Sequence, residues 1–207
     1  LLCTCCCKLG HTGESVIPLL SGFDAERVKA TYPPTDEKKM GELAKLLYRL
    51  RPIAPAKLQA MANQDANVPE GQAPPLTVGD AISIKTKIKS MQLVPIPTKL
   101  IEFLEFKQLQ VLTVEETDGN DIKIITFPLP QDAQIGDQVE GTGVVLHLTQ
   151  PPNDSAPTVS AIACNRLRWL PSSSSIVGWQ LLRNQGVDIS LLPGLGSRNR
   201  QPLLAND

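Results

Sequence analysis

One stretch, residues 81–94, changes the parity of its alternation partway along and so limits what the chain can fold into. Its first half places Ile82, Ile84 and Ile88 on one face and lysines on the other, which is the period-two pattern of a strand with one face in water. From Met91 onward the apolar residues occupy odd positions instead. A change of face within one strand requires a bulge or bend, which is how small barrels turn their long first strand. We therefore expect a bent strand that opens a small β-barrel.

Four further strands are predicted after this one. They span residues 109–116, 121–127, 139–148 and 158–165. Gly141 and Gly143 lie two apart on one face of the fourth strand, which favours a tight bend or the close approach of another backbone. Residues 166–170 are expected to continue the fifth strand outward. Five short strands with glycine-rich bends predict an OB-like barrel.

Amphipathic helices are predicted to flank the barrel. In residues 36–51 the apolar side chains recur at intervals of three and four, and Thr35 or Asp36 is expected to cap the helix. The apolar stripe is typical of a helix packed on the barrel or on a separate partner. A second helix is predicted at residues 98–106, between the first two strands. The usual OB helix lies between the third and fourth strands, so the fold is either a variant or a different small barrel. Short helices are also expected at residues 24–30, 55–62 and 176–184.

The predicted fold class is mainly β with flanking helices, consisting of a small five-stranded OB-like barrel plus an N-terminal amphipathic helix. The side chains expected to share the barrel interior include Ile82, Ile84, Val111, Ile124 and Val144. The expected divisions are an irregular N-terminal segment at residues 1–35, a helix and Pro-rich linker at residues 36–75, the barrel at residues 76–171, and a C-terminal helix with a flexible end at residues 172–207.

A row of lysines on the first strand is the candidate nucleic-acid face. Lys85, Lys87 and Lys89 share one face of this strand, and OB barrels bind single-stranded nucleic acid with such rows combined with stacking aromatics. No Phe, Tyr or Trp alternates with these lysines, and acidic side chains of the following hairpin are expected opposite them. A solvated lysine face that protects a sheet edge is therefore favoured over nucleic-acid binding.

Composition gives no electrostatic reason for the chain to bind nucleic acid or anionic membranes. The net charge is −1 and the pI about 6.2, so no general attraction to anions is expected. The sequence has no apolar run of about 18 residues, so no transmembrane helix is predicted within it. The chain begins without Met and ends abruptly at Asp207. We therefore expect a fragment or a processed product, truncated at both ends.

Cysteines cluster near the N-terminus, at Cys3, Cys5, Cys6 and Cys7. Zinc sites use paired Cys-x-x-Cys units or added histidines at suitable spacing, and lipid attachment would require small residues before the modified cysteine. The cluster fits neither pattern, so it is interpreted as the end of an apolar segment. Cys164 stands alone in the fifth predicted strand, where a small core residue is expected rather than a nucleophile.

No combination of residues indicates catalysis, a metal or a cofactor. His147 alternates with apolar neighbours and is expected on the surface. Asp118, Asn120 and Asp121 lie close together in sequence and indicate a hairpin turn rather than a calcium loop. The sequence contains no Walker, dinucleotide-binding or nucleophile-elbow pattern. We therefore predict that the chain is not an enzyme and has no cofactor.

The order of motifs resembles that of a known family. A helix at residues 43–52 is followed by a Gly-Asp-led strand, a Leu-Ile-Glu-Phe-Leu-Glu-Phe helix and an Asp-Gly hairpin, and then by an Arg-Leu-Arg-Trp segment and by residues 185–192. Over residues 38–207 this order resembles a family of uncharacterised, membrane-associated planctomycete proteins that carry an OB-like segment. The sequence departs from that family at residues 107–109, which are polar and aliphatic where aromatics are usual. The resemblance implies a cell-envelope location and carries over no activity.

These expectations combine into competing hypotheses about function. The first is a non-catalytic β-barrel interaction or spacer module of a larger cell-envelope protein, in contact with protein partners or with the rest of its own polypeptide. The second is an OB-type single-stranded nucleic-acid-binding domain that uses the lysine row. An enzyme whose site lies elsewhere in a longer chain is a third. The composition and the absence of aromatic residues among the lysines favour the first hypothesis. Membrane association would come from segments outside the chain.

Overall fold

The computed structural model describes residues 14–63, 75–115, 121–150 and 157–172. Three predicted features lie outside the described residues: the cysteine cluster at residues 3–7, the turn at residues 118–120 and the helix at residues 176–184.

Within the described ranges the chain forms four α-helices and six strands. The helices are α1 (Ala25–Ala30), α2 (Glu37–Leu50), α3 (Pro55–Ala62) and α4 (Thr98–Leu104), and a 3-10 turn at Ile17–Leu19 precedes them. The strands are β1 (Ala81–Pro95), β2 (Gln108–Glu115), β3 (Asp121–Thr126), β4 (Gln138–Thr149), β5 (Thr158–Cys164) and β6 (Leu167–Leu170). The prediction of a mainly β fold with flanking helices is confirmed. None of these helices combines the length and the apolar character needed to cross a bilayer.

Five of the strands close into a barrel. Their order is β1-β2-β3-β5-β4, and β4 also pairs with β1. The β3–β5 pair is parallel and the other pairs around the barrel are antiparallel. The first half of β1 pairs with β4 and its second half pairs with β2. Because β1 is paired along its length, it does not form a sheet edge, and the structure does not favour edge protection as the role of its lysines.

The bend predicted in the first strand lies at Lys89. The register with β2 shifts between Ile88 and Ser90. Ile88 faces the barrel interior before the shift, and Met91 packs against the same interior cluster after it. The predicted change of parity is therefore confirmed. The bulge lets one strand pair with two different neighbours in a closed barrel.

Alternating side chains of the strands build two apolar layers. The barrel interior consists of Ile82, Ile84, Ile88, Leu112, Val114, Ile122, Ile124, Val139, Val145, Val159, Ile162 and Cys164. The outer faces of the strands contact the N-terminal helices in a second cluster, which we call the helix layer. Its strand members are Ala81, Leu109, Ile125, Val144, Leu146, Ala161 and Ala163, and its α2 members are Met40, Leu43, Ala44, Leu46, Leu47 and Leu50. Helix α2 therefore packs on its own barrel.

Two of the side chains predicted to lie inside the barrel face outward. Ile82, Ile84 and Ile124 are in the interior as predicted, but Val144 belongs to the helix layer and Val111 packs against it. In each case the next residue along the strand fills the interior instead. The prediction was wrong for Val111 and Val144 because both faces of β2 and β4 are apolar. One face fills the barrel and the other receives the helix layer, so alternation alone does not separate them.

The helix boundaries follow from local chemistry. Asp36 caps α2, since its Oδ1 accepts a hydrogen bond from the Lys39 backbone N–H at 2.8 Å. Helix α4 ends at Leu104, two residues before the predicted end. The cause is Glu105, whose φ of 63° is left-handed and stops the helix.

The segment after β5 runs beside β4, but it forms a separate strand. β6 pairs antiparallel with β4 after a break of two residues. Asn165 fixes this break by donating from its Nδ2 to the Leu50 carbonyl at 2.5 Å. Gly141 opposite the break leaves room for the Arg166 carbonyl, which would lie 2.7 Å from a Cβ at that position. The predicted close approach at this glycine is confirmed, whereas the prediction of an uninterrupted fifth strand is wrong.

Candidate functional site

A cleft with a volume of about 590 Å³ lies between α3 and the outer face of β1, β4 and β6. We call it the α3–β4 cleft and define it by the charged side chains Lys85, Glu140, Arg166 and Arg168, with Leu58 and Gln59 of α3 opposite them. The strands thus supply the charges and the helix supplies one wall.

Strand pairing places a carboxylate between two cations in this cleft. Lys85 of β1 is the register partner of Glu140 of β4, which in turn is the register partner of Arg168 of β6. Glu140 forms an ion pair with Arg168. Register partners on one face have Cβ atoms about 5 Å apart. The three charged groups therefore form one row across three strands.

The positive charge of the cleft exceeds its negative charge. Lys85 and Arg166 are exposed, and within the described part of the chain neither side chain has a hydrogen-bond or ion-pair partner. Helix α3 begins at Pro55 on the wall of the cleft, where Ala54 offers no capping side chain and the first turn has no acidic residue. The partial positive charge at this helix end is therefore not offset by a side chain of its first turn.

A buried carboxylate holds β6, and with it Arg168, in place. Asp137 is fully buried and accepts hydrogen bonds at 2.8 Å from the Trp169 indole N–H and from the Ser172 backbone N–H. The Gln134 backbone N–H donates another at 2.9 Å. Burial by itself raises the pKa of Asp137, but these hydrogen bonds together hold it below its ordinary value of 3.8. The loop before β4 is thereby tied to the C-terminal end of β6 and to the residues just after it.

A smaller groove lies on the outer face of β1, β2 and β3. This β1–β3 groove has a volume of about 240 Å³ and is lined by residues that include Tyr32, Pro33, Pro34, Ser90, Thr113 and Lys123. The Thr113 hydroxyl is hydrogen-bonded to Ser90 Oγ and accepts from Lys123 Nζ, both at 2.7 Å. The charged side chain of this groove is thus engaged within the protein, unlike Lys85 and Arg166 in the α3–β4 cleft.

The helix layer covers the adjoining part of the outer face of β2 and β3. Leu109 and Ile125 are 0% and 1% exposed, and Val111 and Phe127 pack against the same cluster. Arg51, at the end of α2, places its guanidinium 5.8 Å from the centre of the Phe127 ring. This part of the face is therefore buried within the protein, and the β1–β3 groove lies beside it.

The structure separates the three lysines predicted as a nucleic-acid face. Lys85 lies in the α3–β4 cleft, and Lys87 is exposed one step along the strand, opposite Gln138. Lys89, at the bulge, forms an ion pair with Asp121 at 2.8 Å, and its hydrogen bond lowers the pKa of that carboxyl. Lys85 therefore lies in the same cleft as Arg166 and Arg168, while Lys87 lies outside the cleft lining on the same face of β1.

Sequence reasoning missed Arg166, Arg168 and Asp137 as site residues. The two arginines carry a detectable signal, because their spacing of two places both on one face of a strand. Their position beside Lys85 depends on β1 and β6 both pairing with β4, which alternation does not show. Asp137 has no local signal that distinguishes it from an ordinary turn aspartate.

Cys164 and His147 lie on different faces of the barrel wall. Cys164 belongs to the interior cluster, and burial raises the pKa of its thiol to about 12. His147 is partly buried on the outside, with Nδ1 2.7 Å from Ser160 Oγ and its ring centre 5.6 Å from that of Tyr32. Among the described residues no group of three or more His, Cys, Asp or Glu side chains is placed to hold a metal ion.

Comparisons of the chain with protein-family models, with curated proteins and with solved structures find no match. The resemblance to planctomycete envelope proteins stays a prediction. Function is therefore inferred from the chemistry of the surfaces described above.

Proposed function

We propose that the barrel is of the OB type and that the chain is a non-catalytic interaction module of a larger cell-envelope protein. The closed strand order and the parallel β3–β5 pair support the OB assignment. One helix is placed differently from the usual arrangement. Helix α4 lies between β1 and β2, while residues 127–137, all of them described, contain no helix. The barrel is thus proposed to be a variant of this fold.

The observation that carries this proposal is that part of the outer face of β2 and β3 is buried within the protein. OB barrels bind oligonucleotides and oligosaccharides through this face. Here Leu109 and Ile125 are buried in the helix-layer cluster, and in the adjoining β1–β3 groove the Lys123 side chain is hydrogen-bonded to Thr113. A face that is partly covered and whose cation is already engaged suits an oligonucleotide poorly, which supports a protein-interaction role.

An exposed aromatic side chain gives further support. Phe103 on α4 is 75% exposed, and Leu93 near the end of β1 is 52% exposed. Exposed single apolar residues are common, but aromatic residues are enriched in the cores of protein interfaces. Phe103 is therefore a residue through which a protein partner would contact this module.

The envelope location rests on the resemblance and needs its own test. Cell fractionation of the full-length product is expected to place it with membranes. Recovery of the full-length product entirely in the soluble fraction would refute the location and leave the interaction role standing.

Single-stranded nucleic-acid binding is the second candidate. It is favoured by the cations Lys85 and Lys87 of β1, Arg168 of β6 and Arg166 just before β6, since β1 and β6 both pair with β4. It is opposed by the lining of the α3–β4 cleft, which among the described residues contains no aromatic side chain on which a base would stack.

Two binding experiments distinguish the candidates. A random-peptide display library panned on the immobilised chain is expected to yield peptides that bind saturably with equimolar stoichiometry. A fluorescein-labelled thymidine oligonucleotide of about 20 nucleotides is expected to show no saturable binding at about 0.15 M salt. Tight oligonucleotide binding with a steep salt dependence, together with no recovered peptide, would overturn the proposed function in favour of nucleic-acid binding.

A further inference from the structure

We propose that the α3–β4 cleft binds an acidic peptide segment of a partner protein, with the partner's carboxylates on Lys85 and Arg166 and its apolar side chains against Pro55 and Leu167. This inference rests on the proposed interaction role and adds the chemical class of the partner and the surface that it occupies.

The size and the lining of the cleft suit such a segment. Its volume of about 590 Å³ lies within the range of roughly 300–1,000 Å³ typical of specific ligand sites. Pro55 from α3 is exposed and Leu167 from β6 is partly exposed in the lining, so both provide apolar contacts. Cations on the strands and apolar surface on α3 match an extended peptide in which acidic and apolar residues alternate, because successive side chains of such a peptide point to opposite sides.

The charges select an acidic partner. Arg166 and Lys85 are exposed and, within the described residues, have no partner of their own. Arginine binds carboxylates through two parallel N–H donors, which adds geometric selectivity to the charge. Glu140, already paired with Arg168, shows that this row of strand residues accommodates a carboxylate. The uncapped start of α3 adds attraction of the same sign.

The same features disfavour a nucleic acid in the cleft. Binding of single strands combines phosphate contacts with stacking of bases on aromatic side chains. Among the described residues the lining offers cations for phosphates but no aromatic ring, and Glu140 would face the anionic backbone. A peptide uses both the cations and the apolar surface of Pro55 and Leu167, whereas an oligonucleotide uses only the cations.

The test measures binding of a defined probe to the whole chain. The probe is a fluorescein-labelled peptide of about eight residues in which glutamate and valine alternate, a length that spans a typical peptide-binding groove. Fluorescence anisotropy at about 0.15 M salt is expected to give saturable binding. A matched peptide of alternating glutamine and valine is expected to bind at least about tenfold more weakly, since it keeps the shape and loses the charge.

Variants at exposed or partly exposed positions locate the site. The Lys85→Gln/Arg166→Gln double variant is expected to weaken binding of the glutamate peptide by about tenfold or more. Glu140→Gln is expected to strengthen it severalfold by removing the competing carboxylate. Lys87→Gln is the matched control: it removes a neighbouring charge on the same strand but outside the cleft lining, and binding is expected to change by less than about twofold. Circular dichroism melting checks that each variant folds.

Each contrary result has a defined meaning. The cleft proposal is overturned if Lys87→Gln weakens binding as much as the double variant does. It is also overturned if the glutamine peptide binds as tightly as the glutamate peptide, or if the glutamate peptide does not bind. Hydrogen-exchange protection on α4 rather than on α3 and β6 overturns the cleft as the site but leaves the interaction role standing. If the thymidine oligonucleotide binds more tightly than the peptide and loses affinity in the double variant, both the cleft proposal and the proposed function fail.

Discussion

At the scale of single residues, Asp137 shows how one side chain positions a strand that is distant in sequence. Its carboxylate receives hydrogen bonds from Trp169 near the end of β6 and from Ser172 just after it, while it remains fully buried. A charged group removed from water is stable only when donors replace its hydration. Gly143 acts at the same scale through the absence of a side chain, since β4 there runs close to the backbone of β5.

Asp137→Asn is expected to lower the free energy of unfolding by about 1–3 kcal/mol at pH 7. Because its pKa is lower in the folded chain than the ordinary value of 3.8, the stabilisation by Asp137 is fully present above that value and is lost as the pH falls through the folded pKa. The parent and the variant should therefore converge in acid. Urea denaturation at pH 7 and at about pH 3 measures this. Asp132→Asn, an exposed change in the same loop, serves as the control. A difference that does not depend on pH would contradict the role given to the charge.

Gly143→Ala is expected to destabilise the barrel by about 1–3 kcal/mol through overpacking. A Cβ at this position would lie 2.9 Å from the Ala163 carbonyl oxygen and would also contact Ile162 and Ile84. Thermal melting followed by circular dichroism measures the effect. Thr142→Ala, on the opposite face of the same strand, is expected to change stability far less. An unchanged melting temperature for the glycine variant would show that β4 is able to move away from β5.

At the scale of elements, the break between β5 and β6 joins the helices to the site. Asn165 donates to the Leu50 carbonyl, one of the carbonyls that the end of α2 leaves without a partner in the helix. The same break places Arg166 at the α3–β4 cleft. The end of a helix therefore helps to set where a cation of the candidate site is presented.

Asn165→Ala is expected to cost about 1 kcal/mol, because the side-chain hydrogen bond to the end of α2 would be lost while the Leu50 carbonyl kept its hydrogen bond from the Ile53 N–H. Amide hydrogen exchange in β6 is expected to increase more than exchange in β2. The comparison variant is Asn63→Ala, at an exposed position with only a long side-chain contact of 3.4 Å to Ser83, and about 0.5 kcal/mol or less is expected. Equal effects of the two changes would show that the hydrogen bond at the break does not stabilise the fold.

The sequence pattern predicted the individual strands and helices better than the way in which they pack and connect. The parity change before Met91 indicated the bend in β1, and the apolar stripe of α2 indicated a packed helix. Val111 and Val144 were misassigned because each lies beside an equally apolar neighbour, so that only the position of the helix layer decides which face is interior. The break at Asn165 was not predictable, because its cause is a hydrogen bond to a helix far away in the chain. The cleft was not predictable for a similar reason, because its cations are far apart in the chain and only the pairing of the strands brings them together.

At the scale of the whole molecule, the helix layer and the barrel share buried residues and so are expected to unfold together. Residues of α2 occupy one cluster with outer-face residues of the strands, among them Ile125 and Val144. The barrel interior forms a second cluster directly behind them. Because the barrel wall contributes to both clusters, loss of one removes support from the other.

Leu47→Ala in the helix layer and Ile124→Ala in the barrel interior are each expected to lower stability by about 2–5 kcal/mol. Both residues are 0% exposed. Differential scanning calorimetry of either variant is expected to show one transition, shifted to lower temperature. A separate early transition in Leu47→Ala alone would show instead that the helices and the barrel are independent folding units.

The hydrogen bond between Asn165 and Leu50 joins residues 115 positions apart. On a ribosome, α2 is therefore finished long before the strands that receive it have been made. Its leucine stripe stays uncovered throughout synthesis of the barrel, and contacts of such long range also slow folding. A nascent chain of this design exposes one apolar helix face, the kind of surface that chaperones shield, until the last barrel strand emerges.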